Sequence, residues 1–155
     1  MHEAQKRAAF VEKYGMFAEK VGFPPMAGRI FAWLLTSESP TQTAERIAEG
    51  LKTSRSSVST ATKLLVRWGF IERTRIPGRR TNYYRVSSDG CKGVLQAMIR
   101  LISEERKIVE YGLDLVKNSR RDLRQQLKTY RDLCFFCEHE FPKLIEKWER
   151  ARKKK

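Results

Sequence analysis

The fold of this chain is decided by residues 43–86, TAERIAEGLKTSRSSVSTATKLLVRWGFIERTRIPGRRTNYYRV. The stretch predicts a short helix, a three-residue turn, a second helix that opens at Ser54, and two strands joined at Pro77-Gly78. A winged helix-turn-helix has this order of elements, because one helix enters the DNA major groove while a hairpin lies beside it. We therefore expect the segment to bind double-stranded DNA.

The charge of the chain is typical of a protein with a polyanionic partner. Its 155 residues include 32 Lys and Arg against 18 Asp and Glu, a formal net charge of +14. Between Lys52 and Arg85 nine basic residues accompany a single acidic one, Glu72. A cationic surface of this kind attracts nucleic acid phosphates. Nucleic acid is therefore the expected partner class.

The second helix of this stretch has two chemically different faces. Val58, Ala61, Leu65 and Trp68 recur at helical spacing and predict a buried face. The other face mixes a guanidinium, hydroxyls and an ammonium, which can reach phosphates and base edges, and an arginine can donate two hydrogen bonds to guanine. The alternative is that serines near a helix start only satisfy free backbone N–H groups. We predict base readout by Arg55 within a DNA-binding face of Arg55, Ser56, Ser57, Ser59, Thr60 and Lys63.

The hairpin carries two adjacent guanidiniums at its tip. Arg79 and Arg80 follow the Pro77-Gly78 turn, a shape suited to phosphates or to a narrow minor groove. The alternative is an inert, solvated turn. Tyr83 and Tyr84 are expected to pack within the sheet rather than to stack on bases, which disfavours single-stranded binding.

Amphipathic helices are predicted on both sides of this centre. Phe10, Tyr14, Phe17 and Val21 form one helical stripe, by which we expect the first helix to pack. Two long helical patterns follow Ser88, with a break at Asn118-Ser119 and a kink at Pro142. These stripes exceed what the small centre can cover, so a symmetric dimer is expected. The predicted domains are an N-terminal dimerisation helix over 1–24, the winged helix-turn-helix over 25–88 and a C-terminal dimerisation region over 89–155.

A cysteine pair lies in the last helical pattern. Cys134 and Cys137, followed by His139, have a spacing that can hold a metal or form a thiol switch. A second pair is lacking in the sequence and the surroundings are apolar, so simple packing is expected, with the switch kept as an alternative. We predict no metal site, no cofactor and no catalytic constellation, and hence no enzyme activity.

The sequence also bears on compartment. The longest uncharged apolar stretch, Ile30 to Ser37, is far shorter than the ~20 residues that span a bilayer. Three cysteines, an odd number, fit a reducing environment. We expect a cytoplasmic protein with no membrane partner.

Five segments carry a family resemblance: MAGRIFAWLL (26–35), AERIAEGL (44–51), SRSSVSTA (54–61), GFIER (69–73) and GRRTNYYR (78–85). Together they resemble the GbsR-type branch of the MarR family of bacterial and archaeal transcriptional regulators. The resemblance implies a mainly α (α+β) fold, a winged helix-turn-helix with a two-stranded wing flanked by long dimerisation helices. It also implies a homodimer whose two halves bind a near-palindromic operator. Arg79 and Arg80 are then at the wing tip, and the recognition-helix positions are Arg55, Ser56, Ser57, Ser59, Thr60 and Lys63.

The resemblance further implies a repressor that a small-molecule effector releases from DNA, with osmoprotectant or efflux genes as targets. Phe10, Tyr14, Phe17, Trp33 and Met98 are candidates to line the effector pocket, although such stripes are also typical of a core. A different class remains open, namely a sequence-indifferent architectural DNA-binding or RNA-binding protein. The two classes differ in whether the protein still discriminates between DNA sequences at a salt concentration that screens phosphate contacts.

Overall fold

The computed structural model describes residues 3–116 and 121–153, so the predicted break at Asn118-Ser119 lies outside the described residues. Within these ranges the chain is mainly helical with one small antiparallel sheet, as predicted. The elements are α1 (Glu3–Lys20), α2 (Pro25–Leu35), β1 (Gln42–Thr43), α3 (Ala44–Gly50), α4 (Arg55–Arg67), β2 (Ile71–Arg75), β3 (Asn82–Val86), α5 (Cys91–Leu115) and α6 (Arg121–Lys153). Chain contacts divide them into two compact units between Gly93 and Val94.

The sheet has three strands rather than the predicted two. The order is β1-β3-β2, and both pairings are antiparallel, with Gln42 opposite Tyr84 and Ile71 opposite Val86. The hairpin of β2 and β3 is the expected wing. The added strand β1 is only two residues long and leads directly into α3, so it ties the base of the wing to the helix-turn-helix.

One hydrophobic core holds the first unit together. Ile30 of α2, Ile47 of α3, Val58 of α4 and Ile71 of β2 are all at most 1% exposed. Each comes from a different element, so the two helices of the helix-turn-helix and the wing are fixed against one another. Burying an aliphatic side chain of this size contributes about 1.5–3 kcal/mol.

The buried face of α1 lies one residue away from the predicted stripe. Its buried residues are Val11, Gly15 and Ala18, whereas Phe17 and Val21 are each 54% exposed. The cause is a close crossing with α2: a Cβ on Gly28 would lie 2.4 Å from the carbonyl oxygen of Tyr14. Small residues allow this approach, so the large aromatic residues are displaced to the side of the contact.

The second unit consists of α6 and most of α5. Val109, Cys134 and Ile145 are buried there, and α6 continues through Pro142. The Arg106 guanidinium donates hydrogen bonds of 2.9 and 3.0 Å to both carboxylate oxygens of Glu138. Desolvation alone raises the pKa of Glu138, but the hydrogen bonds from Arg106 and Ser103 outweigh it and lower the pKa overall.

Candidate nucleic-acid interface

Helix α4 presents one face to the core and the other to solvent. Its N-cap is Ser54, whose side-chain oxygen accepts a hydrogen bond of 3.1 Å from the backbone N–H of Ser57. Val58, Ala61 and Leu65 are buried, as their spacing predicts, and Thr62 is buried beside them. Of the six predicted DNA-binding residues on α4, two are half-buried, Ser57 and Ser59, and four are exposed, Arg55, Ser56, Thr60 and Lys63.

The serines at the start of α4 form a local cluster. The Ser54 hydroxyl lies 2.9 Å from the Ser56 hydroxyl and 2.8 Å from the Ser57 hydroxyl. Ser56 and Ser57 therefore contribute to the cap region as well as to the outer surface of the helix. Both functions predicted for these serines are compatible with this geometry.

An open groove runs along the outer face of α4. Ser56, Thr60 and Lys63 line it, and Pro24 and Met26 at the start of α2 form its other wall. Arg67, one turn beyond Lys63, also lines the groove. It was not among the predicted site residues, although its i,i+4 spacing from Lys63 on the polar side of the helix is a signal for it.

The wing ends in a tight turn that exposes both predicted arginines. The Arg79 backbone N–H donates a hydrogen bond of 3.0 Å to the Ile76 carbonyl oxygen, and Gly78 has a φ of +77°. Pro77 followed by Gly with positive φ is the signature of a type II turn. Arg79 and Arg80 are exposed, and the Arg79 Nη1 donates to the Tyr83 hydroxyl at 3.0 Å.

The exposed arginine and lysine side chains of α4 and the wing form a cationic surface, and two carboxylates lie within it. Glu72 pairs with Arg85, which lies directly opposite it in the wing. Glu45, in the first turn of α3, pairs with Arg55 at the start of α4. The second pair joins the two helices of the helix-turn-helix. No local sequence signal predicts this pair, because the two residues are ten positions apart and lie on different helices.

Two of the predicted effector-pocket residues line one apolar cavity. Tyr14 and Phe17 enclose it together with Phe23, Phe31 and Phe70, among others, and its volume is about 80 Å³. Pockets for drug-sized ligands measure about 300–1,000 Å³. A ligand of that size therefore requires the cavity to open.

The other candidate pocket residues have different surroundings. Phe10 packs edge-to-face on Tyr14 with ring centroids 5.6 Å apart. Trp33 lies in another groove, with the Arg7 guanidinium 4.1 Å from its ring centroid. Met98 belongs to α5 in the second unit. The pocket assignment stays a prediction.

Cys134, the first residue of the cysteine pair, has little thiolate character. Burial is the main cause of a raised pKa at Cys134, and nearby carboxylates raise it further. A protonated thiol is a poor nucleophile and a poor metal ligand. Within residues 3–116 and 121–153, no group of three His, Cys, Asp or Glu side chains is arranged to hold a metal ion.

Sequence and structure comparisons identify the family. The MarR family model matches residues 21–80, and a model described as MmpR5-like MarR family transcriptional regulator matches residues 89–151. The chain belongs to the MarR family. It is 29% identical over 130 residues to the HTH-type transcriptional regulator MmpR5 of Mycobacterium tuberculosis (strain ATCC 25618 / H37Rv), a match that covers 84% of this chain and 79% of that protein.

A solved structure has the same fold over nearly the whole length of this MarR-family chain. The crystal structure of a transcriptional regulator matches with a TM-score of 0.89 and 26% identity, and covers 94% of this chain and 99% of that one. The chain is accordingly a DNA-binding transcriptional regulator of the MarR type and not an enzyme, as predicted. The GbsR-type branch is not confirmed by these matches and stays a prediction.

In the described part of the chain, no helix combines the length and the apolar composition that crossing a bilayer requires.

Proposed function

We propose that this MarR-family protein is a homodimeric cytoplasmic repressor that binds a near-palindromic operator in double-stranded DNA. One observation carries the proposal: the exposed side of α4 bears Arg55, Thr60 and Lys63, and the wing of the same unit ends in the exposed Arg79 and Arg80. A helix with such a face fits the major groove, and an arginine-tipped wing fits the backbone or minor groove beside it.

Within this proposal, phosphate contacts supply most of the affinity and α4 supplies sequence choice. Arg55 donates to guanine O6 and N7, while Arg79 and Arg80 at the wing tip neutralise phosphates. Arg67 joins Lys63 along the groove beside α4 and adds a further phosphate contact. Affinity then falls steeply with salt, because every neutralised phosphate releases counterions.

Exposed apolar faces on the long helices support the homodimer. Ile108, Tyr111 and Leu115 recur at three and four residues on α5 and are each at least 66% exposed. Leu144 and Trp148 continue a similar stripe on α6. Rows of large exposed apolar side chains on a helix are typical of an interaction surface, and a second copy of the chain covers them in this proposal.

Release by a small molecule is the regulatory part of the proposal. The apolar cavity that Tyr14 and Phe17 line also includes Phe23 and Phe70, and Phe23 packs at 5.3 Å from the ring of Trp68, the C-cap of α4. A ligand that enlarges this cavity displaces the rings next to the end of α4. The GbsR-type resemblance makes osmoprotectant or efflux genes the proposed targets.

Enrichment of genomic DNA tests the proposal. Purified protein is incubated with sheared genomic DNA at about 0.2 M salt, where non-specific binding is much weakened, and the bound fragments are sequenced. We expect a near-palindromic sequence beside a few promoters. Recovery of unselected fragments refutes site-specific repression and favours an architectural protein, while a preference for RNA competitor favours an RNA-binding protein.

Two variants then separate sequence readout from backbone binding. We expect Arg55→Ala to reduce the preference for the enriched sequence by about 1–3 kcal/mol for each half-site, while Arg79→Ala weakens binding to all duplexes and lowers the salt slope by about one for each protomer. Equal losses on enriched and shuffled duplexes for Arg55→Ala contradict the role assigned to that residue.

A further inference from the structure

The ion pair between Glu45 and Arg55 contributes little to folding. The Arg55 side chain is 73% exposed and the Glu45 side chain 54% exposed. Exposed pairs contribute little to stability, because water screens the attraction and fixing two long side chains costs conformational entropy. The helices that carry them are already fixed by Ile47 and Val58, both fully buried in the shared core. The pair is therefore not needed to hold α3 against α4.

The position of Glu45 restrains the side chain of Arg55 at the start of α4. Arg55 is the first residue of α4, where the positive end of the helix dipole disfavours a cation. Glu45 lies in the first turn of α3, where a carboxylate is favoured. Its oxygen accepts a hydrogen bond from the Arg55 Nη2, and this contact restrains the position of a long side chain that solvent alone would leave free.

The restrained guanidinium keeps most of its donors. An arginine has five N–H donors, and the structure gives a carboxylate partner to one terminal nitrogen, so the remaining donors can face a base. Bidentate recognition of guanine needs a guanidinium held in one orientation, because two parallel hydrogen bonds form only in that geometry. A carboxylate beside the cation also repels phosphates and so weakens binding that depends on the backbone alone.

We infer that Glu45 is a positioning and specificity-determining residue for DNA recognition: it orients Arg55 towards one guanine and lowers affinity for DNA that lacks this base in register. The inference rests on the proposed function of α4 as the recognition helix. It predicts opposite effects of Glu45 on the two kinds of DNA, whereas a purely electrostatic effect changes both alike.

The test compares Glu45→Gln with Glu72→Gln. Each variant removes one ion-paired carboxylate from the cationic surface, but Glu72 pairs with Arg85 in the wing and not with the recognition helix. Affinities are measured by fluorescence anisotropy on a duplex enriched from genomic DNA and on a shuffled duplex of the same composition. Circular dichroism verifies that every variant is folded.

We expect Glu45→Gln to lower the ratio of enriched to shuffled affinity by about three- to fivefold, the upper range for an exposed pair. Glu72→Gln should raise both affinities and leave the ratio unchanged. With Arg55 replaced by alanine, Glu45→Gln should no longer alter the ratio. Glu45→Asp, which keeps the negative charge, should retain part of the parent's ratio of enriched to shuffled affinity.

Two results overturn the inference in distinguishable ways. If the parent protein discriminates between the duplexes and Glu45→Gln leaves the ratio unchanged, Glu45 has no positioning role while the proposed function stands. If the parent protein itself does not discriminate, the proposed function is overturned, and this inference falls with it.

A further readout is replacement of each guanine in turn by 7-deazaguanine, which removes the N7 acceptor. One such replacement should lower the affinity of the parent protein more than that of Glu45→Gln, and it should leave the affinity of Arg55→Ala unchanged.

Discussion

The close crossing of α1 and α2 predicts opposite effects for the same substitution at two helical glycines. Alanine at Gly28 must place a Cβ 2.4 Å from the carbonyl oxygen of Tyr14 and 2.6 Å from the Cβ of Ala18. Alanine at Gly112 in α5 meets only a side-chain atom of Leu127, at 3.8 Å, which is ordinary contact. Gly28→Ala therefore requires α1 to move, whereas Gly112→Ala does not.

The expected change in the free energy of unfolding is the sum of two contributions. Glycine to alanine in a helix interior gains about 1 kcal/mol from helix propensity at either site. Overpacking costs about 1–3 kcal/mol, and the upper end applies at Gly28 because the obstructing atom belongs to the backbone. The net loss at Gly28 is about 1–2 kcal/mol, or about 2–8 °C in Tm for a chain of this size. Gly112→Ala gains up to about 1 kcal/mol.

Thermal and urea unfolding followed by circular dichroism, at one fixed protein concentration, measure both variants beside the parent. A fixed concentration matters because an oligomer's apparent stability depends on it. If Gly28→Ala is as stable as the parent, α1 tolerates the added methyl group and the tight crossing does not limit the residue at this position.

Three further predictions concern single groups. Ser54→Ala should cost about 1 kcal/mol because it removes the N-cap of α4, whereas Ser59→Ala in the same helix should be nearly neutral in the same unfolding assay. The pKa of Glu138 is lowered on folding, so its ionised form contributes stability at neutral pH that is lost as the pH falls through the folded pKa. Between about pH 7 and pH 3, the free energy of unfolding should fall less for Glu138→Gln than for the parent, and an equal fall in both would contradict this. Because burial raises the pKa of Cys134, iodoacetamide should label this thiol much more slowly in the native protein than in urea, as measured by mass spectrometry, and equal rates would show that it is accessible.

Local sequence signals were sufficient for the helix-turn-helix and the wing. Ser54 is followed by an amphipathic pattern, and a polar cap before such a pattern specifies where a helix begins. Gly69 follows Trp68, the C-cap of α4, and its φ of +76° is a conformation that glycine adopts readily at the end of a helix. Pro77-Gly78 specified the turn of the wing in the same way. These features depend on neighbouring residues, so they are readable without the fold.

Other features depend on residues that are distant in sequence, and only the tertiary structure decided them. Strand β1 is too short to show a pattern and exists because β3 pairs with it. The buried face of α1 depends on its close approach to α2, where Ala18 lies against Gly28 and Gly15 lies against Pro25 and Arg29.

Helix caps, turn residues and net charge are properties of local sequence, so they predict a cationic winged helix-turn-helix without knowledge of the fold. The packing of the helices, in contrast, brings Glu45 to Arg55 and places Pro24 and Met26 beside Lys63 and Arg67. The physical reason is that contacts between helices depend on how their cores pack. A shift of one residue in that packing changes which side chains face each other, and no local signal encodes it.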